Sequence, residues 1–185
     1  MDAKEIRSGL RGTDWLQNSR KQIQNYLAQE YHQCVEMTRM ELEARLVSAA
    51  NWDERHLYDS CRDLGFQIAP GDICYLDYGR GYVKEAGYQH FGLVVSLCEG
   101  KAFVIPMTSN EKTYARAFHP RRNPEGCRHL FALGDVEGLN KRSVLFLNDG
   151  KYINTARIIR ITGHIEISGN MYKEIIGRLR ECLKI

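Results

Sequence analysis

The chain has 185 residues, enough for one domain with a full hydrophobic core, or for one domain with an appendage. Its 26% charged and 43% hydrophobic residues are typical of a soluble globular protein. No stretch approaches the roughly 20 apolar residues of a membrane-crossing helix, and no signal-peptide core follows Met1. We therefore expect a cytoplasmic protein without a membrane partner.

The positive charge lies in the second part of the chain. Residues 1–70 carry nine Lys and Arg against eleven Asp and Glu, a net charge of −2. Residues 71–185 carry seventeen against twelve, a net charge of +5. This asymmetry favours an anionic partner for the second part.

The six cysteines are scattered, without a CxxC pair or a Cys/His cluster at zinc spacing. Cys74 and Cys98 lie in apolar strand-like segments, and Cys34 lies in a helical pattern. We expect buried, reduced thiols, with no metal and no cofactor.

The first part of the chain has the pattern of helices. From Thr13 to Ala50 the chain contains neither Pro nor Gly, and apolar residues recur there at helical spacing. Asn51 and Glu54 fit a capping box, and Gly65 fits a helix C′ position, so a second helix is expected over 52–64. The two helices predict a helical hairpin, and residues 1–66 are interpreted as an N-terminal extension.

The pattern changes to that of strands at Gly71. Residues 72–78, 91–98 and 101–107 are rich in β-branched and aromatic residues, and Glu99-Gly100 predicts a tight hairpin turn between the last two. Further strands are expected at 128–133, 143–147, 151–154 and 157–161. A closing helix is expected over 170–183, with Ser168 as its cap. These elements predict an α+β, mainly β, fold: a small antiparallel barrel over residues 67–185.

Three segments carry a resemblance to a known family. Residues 71–78 (GDICYLDY) look like its opening strand, residues 85–91 (EAGYQHF) lie where it has a glutamate- and glycine-containing loop, and residues 106–109 (PMTS) match its Pro-x-Thr strand end. The spacing from Gly71 to Ser96 fits without a gap, and 143–147 and the closing helix follow in the expected order. Residues 71–185 thus resemble the PemK/MazF family of toxin-type endoribonucleases.

This resemblance implies an SH3-like barrel of the PemK/MazF/CcdB type in a homodimer. It also implies metal-independent cleavage of single-stranded RNA (mRNA) through a 2′,3′-cyclic phosphate, and inhibition by a cognate antitoxin protein. The sequence departs from the family pattern at His90-Phe91, where the family usually has arginine and proline. Residues 110–142 are also longer than is typical, and residues 1–66 have no counterpart in the minimal family member.

RNA cleavage without a metal needs a base, an acid and donors to the phosphate. Histidine can act as base or acid near neutral pH, so His90 is a catalytic candidate. Glu85 is a second candidate, as a base or as a group that positions a basic neighbour. Thr108 is a third, because its hydroxyl and nearby backbone N–H groups follow an apolar strand and could hold a phosphate.

The RNA-binding candidates are basic, aromatic and hydroxyl side chains near these positions. Basic residues interleaved with rings suit phosphates and unstacked bases. They come from the 79–89 loop, the Pro-x-Thr strand end and the 116–122 segment (RAFHPRR): Arg80, Lys84, Tyr88, Ser109, Arg116, Arg121 and Arg122.

Two other classes of function stay open at this point. A catalytically impaired member of the same fold would bind nucleic acid or protein without cleavage. Alternatively, the N-terminal hairpin would carry a protein interaction. The hairpin itself could dimerise the protein, cover the basic face, replace part of an antitoxin, or only stabilise the fold.

Overall fold

The structure, a computed structural model, describes residues 2–11 and 13–185. The chain forms two compact units, Met1–Ala44 and Arg45–Ile185. The α-helices of the described residues are α1 Ala3–Gly9, α2 Trp15–Val35, α3 Arg39–Arg55, α4 Glu111–Arg116 and α5 Asn170–Leu183. The predicted boundary between domains at residues 66 and 67 stays a prediction.

The N-terminal helices begin and end at other residues than predicted. The predicted helix over 13–50 is interrupted after Val35, and α3 begins at Arg39. A reciprocal capping pair explains this start: Glu41 Oε2 accepts from Thr38 N at 2.9 Å, and Thr38 Oγ1 accepts from Glu41 N at 3.3 Å. The expected helix over 52–64 is therefore wrong, since α3 runs through Asn51 and ends at Arg55.

A short 3-10 helix, Cys61–Leu64, occupies the end of the expected second helix. Ser60 and Asp63 form its capping box. Gly65 follows it with φ +81°, a left-handed conformation that glycine adopts at little cost. The predicted role of Gly65 as a helix stop is confirmed.

The strands of the described residues form one sheet. They are β1 Asp72–Asp77, β2 Gln89–Cys98, β3 Lys101–Thr108, β4 Ala117–Phe118, β5 Cys127–Gly134, β6 Ser143–Phe146, β7 Lys151–Asn154 and β8 Ile158–His164. Their order is β4-β5-β6-β3-β2-β1-β8, and β7 pairs with β3 beside β6. The α+β, mainly β, class with N-terminal helices and a C-terminal helix is confirmed, and the sheet is open rather than a closed barrel.

The central hairpin of the sheet is the predicted one. Cys98 pairs with Lys101, so Glu99 and Gly100 are the two turn residues. Both have positive φ, +44° and +78°, as the tight hairpin turns that match strand twist require. The strand pattern and the Glu99-Gly100 turn therefore specify the same hairpin.

The hydrophobic core lies between the sheet and α5. Ile175 and Leu179 of α5 are buried against Ile73, Leu93 and Ile105 of the three central strands. The predicted bounds of this helix are confirmed, but its predicted cap is wrong. The cap residue is Gly169, because the Ser168 hydroxyl donates to Glu166 Oε1 at 3.0 Å instead of to the helix end.

The cysteines are free, but not all of them are buried. Cys61 and Cys74 are buried, and burial, with the nearby Asp72 charge, raises the pKa of the Cys74 thiol to about 12. Cys98 at the end of β2 is exposed, as is Leu97 beside it. In the part of the chain that the structure describes, no helix is long and apolar enough to cross a membrane.

A buried carboxylate joins the end of β1 to the second half of α3. Asp77 is 4% exposed. Its oxygens accept from Ser48 Oγ, Asn51 Nδ2, Gln89 Nε2 and Gly79 N, each at 2.8 Å. Burial raises the pKa of this carboxyl, but the four hydrogen bonds outweigh burial and hold the pKa below its ordinary value. Asp77 thus orders α3 and both ends of the loop before β2.

Replacing this carboxylate is expected to destabilise the protein. Asp77→Ala leaves three half-buried polar side chains without their acceptor, which costs about 2–4 kcal/mol of unfolding free energy at neutral pH. Because the folded pKa is lowered, the contribution of Asp77 is present above the ordinary value of 3.8 and is lost as pH falls through the folded pKa.

Urea unfolding at a series of pH values measures this difference. The matched control is Asp53→Ala, which removes an exposed carboxylate from α3. The role given to Asp77 would be contradicted if the unfolding free energies of wild type and Asp77→Ala differed little at neutral pH. It would also be contradicted if their difference grew as the pH was lowered.

Candidate functional site

A cleft of about 240 Å³ lies where the ends of several strands meet. Its walls come from β2, β3, β6, β8 and the loop between β5 and β6. Aromatic, hydroxyl and basic side chains face each other across it. The lining residues are Phe91, Met107, Thr108, Ser109, Gly138, Leu139, Asn140, Lys141, Ser143, Arg160 and Thr162.

The cleft exists because the open sheet curls until its β8 end meets the β5–β6 loop. A Cβ atom at Gly138 would overlap the carbonyl oxygen of Thr162, and one at Gly163 would come within 2.5 Å of Glu137 O. Only glycine permits this close backbone approach, and Gly138 also has φ +84°. The contact brings Lys141 and Arg160 to the same cleft.

One row of side chains across three strands forms a cationic and aromatic wall. Tyr75 on β1 pairs in register with Phe91 on β2 and with Arg160 on β8. The guanidinium of Arg160 lies 4.4 Å from the Tyr75 ring centroid, and the Tyr75 and Phe91 rings are 5.1 Å apart. Cation–π contact and ring packing fix this row while Arg160 stays exposed to solvent.

Two of the predicted residues line the cleft, at the end of β3. Thr108 is half-buried and Ser109 is exposed. Thr108 Oγ1 accepts from Asn110 N at 3.2 Å, and Asn110 Oδ1 in turn accepts from Thr113 N at 3.1 Å in the first turn of α4. The unpredicted helix α4 therefore helps to fix the Thr108 hydroxyl.

His90 directly precedes Phe91, a lining residue of the cleft, on β2. The β2–β3 ladder ends at the pair Phe91–Met107, and one further step of the same antiparallel register would set His90 opposite Thr108. The His90 side chain is exposed and is not among the lining residues. Two of the three predicted catalytic residues thus lie at facing ends of adjacent strands.

Glu85, the third, lies in the loop between β1 and β2. Gly81 and Gly87 approach each other so closely that a Cβ on either would crowd the other, which narrows the base of the loop. Glu85 is exposed, and its Oε2 accepts from Tyr82 N at 3.2 Å within the loop. It does not line the cleft.

The same loop carries three of the predicted RNA-binding residues. Arg80 and Lys84 are exposed and Tyr88 is half-buried; Lys84 and Tyr88 both have positive φ. Asp149 anchors this loop, because its Oδ2 accepts a hydrogen bond from Ala86 N at 2.6 Å. None of the three lines the cleft.

The basic segment 116–122 lies at the β4 end of the sheet. Arg116, Arg121 and Arg122 are all exposed. His119 Nδ1 accepts from the backbone N–H groups of Arg121 at 3.1 Å and Arg122 at 3.0 Å, which fixes the turn that carries these arginines. The segment adds an exposed cationic turn, but its arginines do not line the cleft.

Sequence reasoning missed the charges that do line the cleft. Lys141 follows β5 in an irregular loop, and Arg160 lies at an outward position of a strand. Neither belongs to a motif. Among the described residues, no group of three or more His, Cys, Asp or Glu lies where it could hold a metal ion.

No protein-family model matches the sequence, and no curated protein matches it. Solved structures that are similar include an endoribonuclease in complex with its cognate antitoxin from Mycobacterial species, with 13% identity over 64% of this chain and 97% of that chain, at a TM-score of 0.46.

MazF from Deinococcus radiodurans is similar at 16% identity over 65% of this chain and 99% of that one, with a TM-score of 0.48. The MazE–MazF complex from the same organism has 16% identity, 65% and 98% coverage and a TM-score of 0.45. These proteins bear the names of the family that the sequence resembles.

The close contact between the β5–β6 loop and β8 predicts that two glycine substitutions will lower the stability of the protein by different amounts. Gly134 and Gly138 both have positive φ, +73° and +84°, but only a Cβ at Gly138 would meet the backbone of β8. Both changes to alanine carry the left-handed penalty of roughly 1 kcal/mol. Gly138→Ala is expected to cost about 1–3 kcal/mol more, because Thr162 must move.

Thermal unfolding of the two variants gives the comparison, with Gly134→Ala as the matched control. Equal losses of stability would show that the β5–β6 loop does not need its close contact with β8.

Proposed function

We propose that the protein is a toxin-type endoribonuclease that binds single-stranded RNA at the cleft and cleaves it without a metal ion. The observation that carries this proposal is that His90 and Thr108 each follow the Phe91–Met107 pair of β2 and β3, beside a cleft that contains Arg160 and Lys141. A proton-transfer group, a hydroxyl donor and two cations thus lie in one region. These are the groups that cleavage at a phosphodiester requires.

The cleft suits an RNA strand rather than a duplex. Lys141 and Arg160 supply positive charge for phosphates. The exposed Arg160 lies on Tyr75, which packs on Phe91, and such planar groups stack on unpaired bases. The net charge of +5 on residues 71–185 adds a long-range attraction for the strand.

In the proposed reaction the 2′-hydroxyl oxygen attacks the adjacent phosphorus. A base takes the 2′-hydroxyl proton, the bond from phosphorus to the 5′-oxygen breaks, and an acid returns a proton to that oxygen. The products are a 2′,3′-cyclic phosphate and a 5′-hydroxyl. We assign His90 to proton transfer and the Thr108 hydroxyl to a phosphate oxygen, with Arg160 supplying charge in place of the family arginine.

Glu85 is assigned as the second proton-transfer group, carried on the loop that Gly81 and Gly87 narrow. The loop residues Arg80, Lys84 and Tyr88, with Ser109 at the cleft, would contact the strand near the scissile bond. Arg116, Arg121 and Arg122 would extend the contact along the sheet towards β4.

We further propose a homodimer that acts on cytoplasmic mRNA, with a cognate antitoxin protein that competes for the RNA-binding surface. Residues 1–66 would form a helical extension to the RNA-binding domain of residues 67–185.

A second function of the same fold is binding without cleavage. The observation that favours it is that Glu85 is held by Tyr82 N within its own loop and does not line the cleft. His90 also lacks the bidentate fork of the arginine that the family uses.

Incubation with labelled single-stranded RNA in EDTA tests the nuclease. Wild type is expected to give products with 2′,3′-cyclic phosphate ends. His90→Ala is expected to lower the rate about 10²–10⁴-fold, and Thr108→Ala about 10²-fold. The matched control is His56→Ala, an exposed histidine at the end of the α3 region, which should cleave like wild type.

Binding of the RNA by wild type without cleavage would replace the nuclease with the second function. Cleavage that His90→Ala and Thr108→Ala leave unchanged would remove the proposed roles of both residues.

A further inference from the structure

Two arginines lie against one aromatic ring at the β4 end of the sheet. The guanidinium carbon of Arg128 is 4.8 Å from the centroid of the Phe118 ring, and that of Arg178 is 5.1 Å from it. Arg178 is half-buried, and its Nη2 donates to the carbonyl oxygens of Arg128 at 2.6 Å and Leu130 at 3.1 Å. Arg128 is exposed. The Phe118 ring therefore supports a planar cation whose side chain stays open to solvent.

The segment around this ring concentrates positive charge. Residues 111–128 have five Lys and Arg against two Asp and Glu, a net charge of +3. Four exposed arginines belong to it, and together with the Phe118 ring they are here called the arginine surface: Arg116, Arg121, Arg122 and Arg128. In the described part of the chain, none of these four forms an ion pair with a carboxylate. Their charge is available to an anionic partner.

The backbone of this segment is braced by its own polar groups. His119 and Asn123 exchange backbone hydrogen bonds of 3.0 and 2.9 Å. Asn123 Nδ2 also donates to the carbonyl oxygens of Ala115 and Ala117, at 3.1 Å each. A Cβ atom at Gly126 would come within 2.7 Å of Ala117 O, so the turn returns closely along β4. The arginines thus project from an ordered backbone, which lowers the entropy cost of binding a ligand.

The same segment begins at the cleft. Ser109 lines the cleft, and α4 follows it after one residue. Six residues at 1.5 Å each make α4 about 9 Å long, and Arg116 is its last residue. A strand that leaves the cleft beside Ser109 can therefore follow α4 to the Phe118 ring.

We propose that the arginine surface binds single-stranded RNA where the strand continues beyond the cleft. An unpaired base stacks on the guanidinium plane of Arg128, and the other three arginines bind neighbouring phosphates. Guanidinium suits both contacts, because it is planar and forms paired hydrogen bonds with phosphate oxygens. This inference rests on the proposed RNA binding and deepens it, since it gives the strand a second contact outside the cleft.

Binding of 2′-O-methyl single-stranded oligonucleotides of two lengths tests this surface. The methyl group blocks the attacking hydroxyl, so affinity is measured without cleavage. An oligonucleotide of about 4 nucleotides fills the cleft alone, whereas one of about 16 nucleotides also reaches the arginine surface. Arg128→Gln is expected to weaken binding of the long oligonucleotide about tenfold and to leave that of the short one unchanged.

Two further variants separate stacking from charge. Arg128→Lys keeps the charge without the plane, so it should weaken binding of the long oligonucleotide while the salt dependence stays that of wild type. Arg121→Gln combined with Arg122→Gln should make the slope of log affinity against log salt shallower by about 1.4. Arg62→Gln, an exposed arginine outside the arginine surface, is the matched control and should bind both lengths like wild type.

Arg128→Gln is expected to unfold at the temperature of wild type, because Arg178 binds the backbone carbonyl oxygen of residue 128, which the substitution keeps. If Arg128→Gln binds the long oligonucleotide like wild type, or loses affinity equally for both lengths, the arginine surface is overturned while RNA binding in the cleft stands. Long-oligonucleotide affinity in Arg128→Lys equal to that of wild type would overturn the stacking. If wild type binds neither length, the arginine surface is overturned, and cleavage of unmodified RNA decides the proposed function separately.

An acidic protein is the other anionic partner that this charge could attract. Polyglutamate of about 16 residues should bind wild type at least about tenfold more weakly than the long oligonucleotide, because it offers no base for stacking. Polyglutamate that binds as tightly as the long oligonucleotide, and that Arg128→Gln no longer binds, would overturn RNA as the ligand of the arginine surface.

Discussion

The contact between the β5–β6 loop and β8 is the constraint on which the candidate site depends. The sheet is open, so its two end strands do not hydrogen-bond to each other, and curvature alone must bring β6 and β8 to one cleft. Gly138 and Gly163 allow the backbones to touch without side chains between them. Once they touch, Lys141 and Arg160 share a cleft with Thr108 and Ser109, although they are distant in sequence.

A second constraint is the set of hydrogen bonds that Asp77 accepts at the ends of the loop that carries Glu85. Asp77 ends β1, and its carboxylate holds Gly79 and Gln89 at the two ends of this loop together with Ser48 and Asn51 of α3. The second half of α3 is thereby tied to β2, the strand that carries His90. This arrangement gives residues 45–55 a role in ordering the site, beyond that of an appended segment.

The strands, the β2–β3 turn and the bounds of α5 could be predicted because each depends on local periodicity or turn chemistry. The start of α3 could not, since Asn51 and Glu54 offer a capping pattern as good as that of Thr38 and Glu41, and the Asn51 amide binds Asp77 instead. In the site, the Pro-x-Thr strand end identified Thr108 and Ser109 as lining residues. Arg160 could not be found, because its position on Tyr75 follows from the register of β8 against β1, which no local pattern specifies.

The most direct test of the cleft as an RNA-binding surface is the salt dependence of single-stranded RNA affinity for wild type and Arg160→Gln. If Arg160 contacts a phosphate, the variant should bind more weakly, and the slope of log affinity against log salt should become shallower by about 0.7. Arg180→Gln, an exposed arginine of α5 outside the cleft, should match wild type. Affinity that does not depend on salt, or an equal slope for wild type and Arg160→Gln, would contradict the placement of RNA in this cleft.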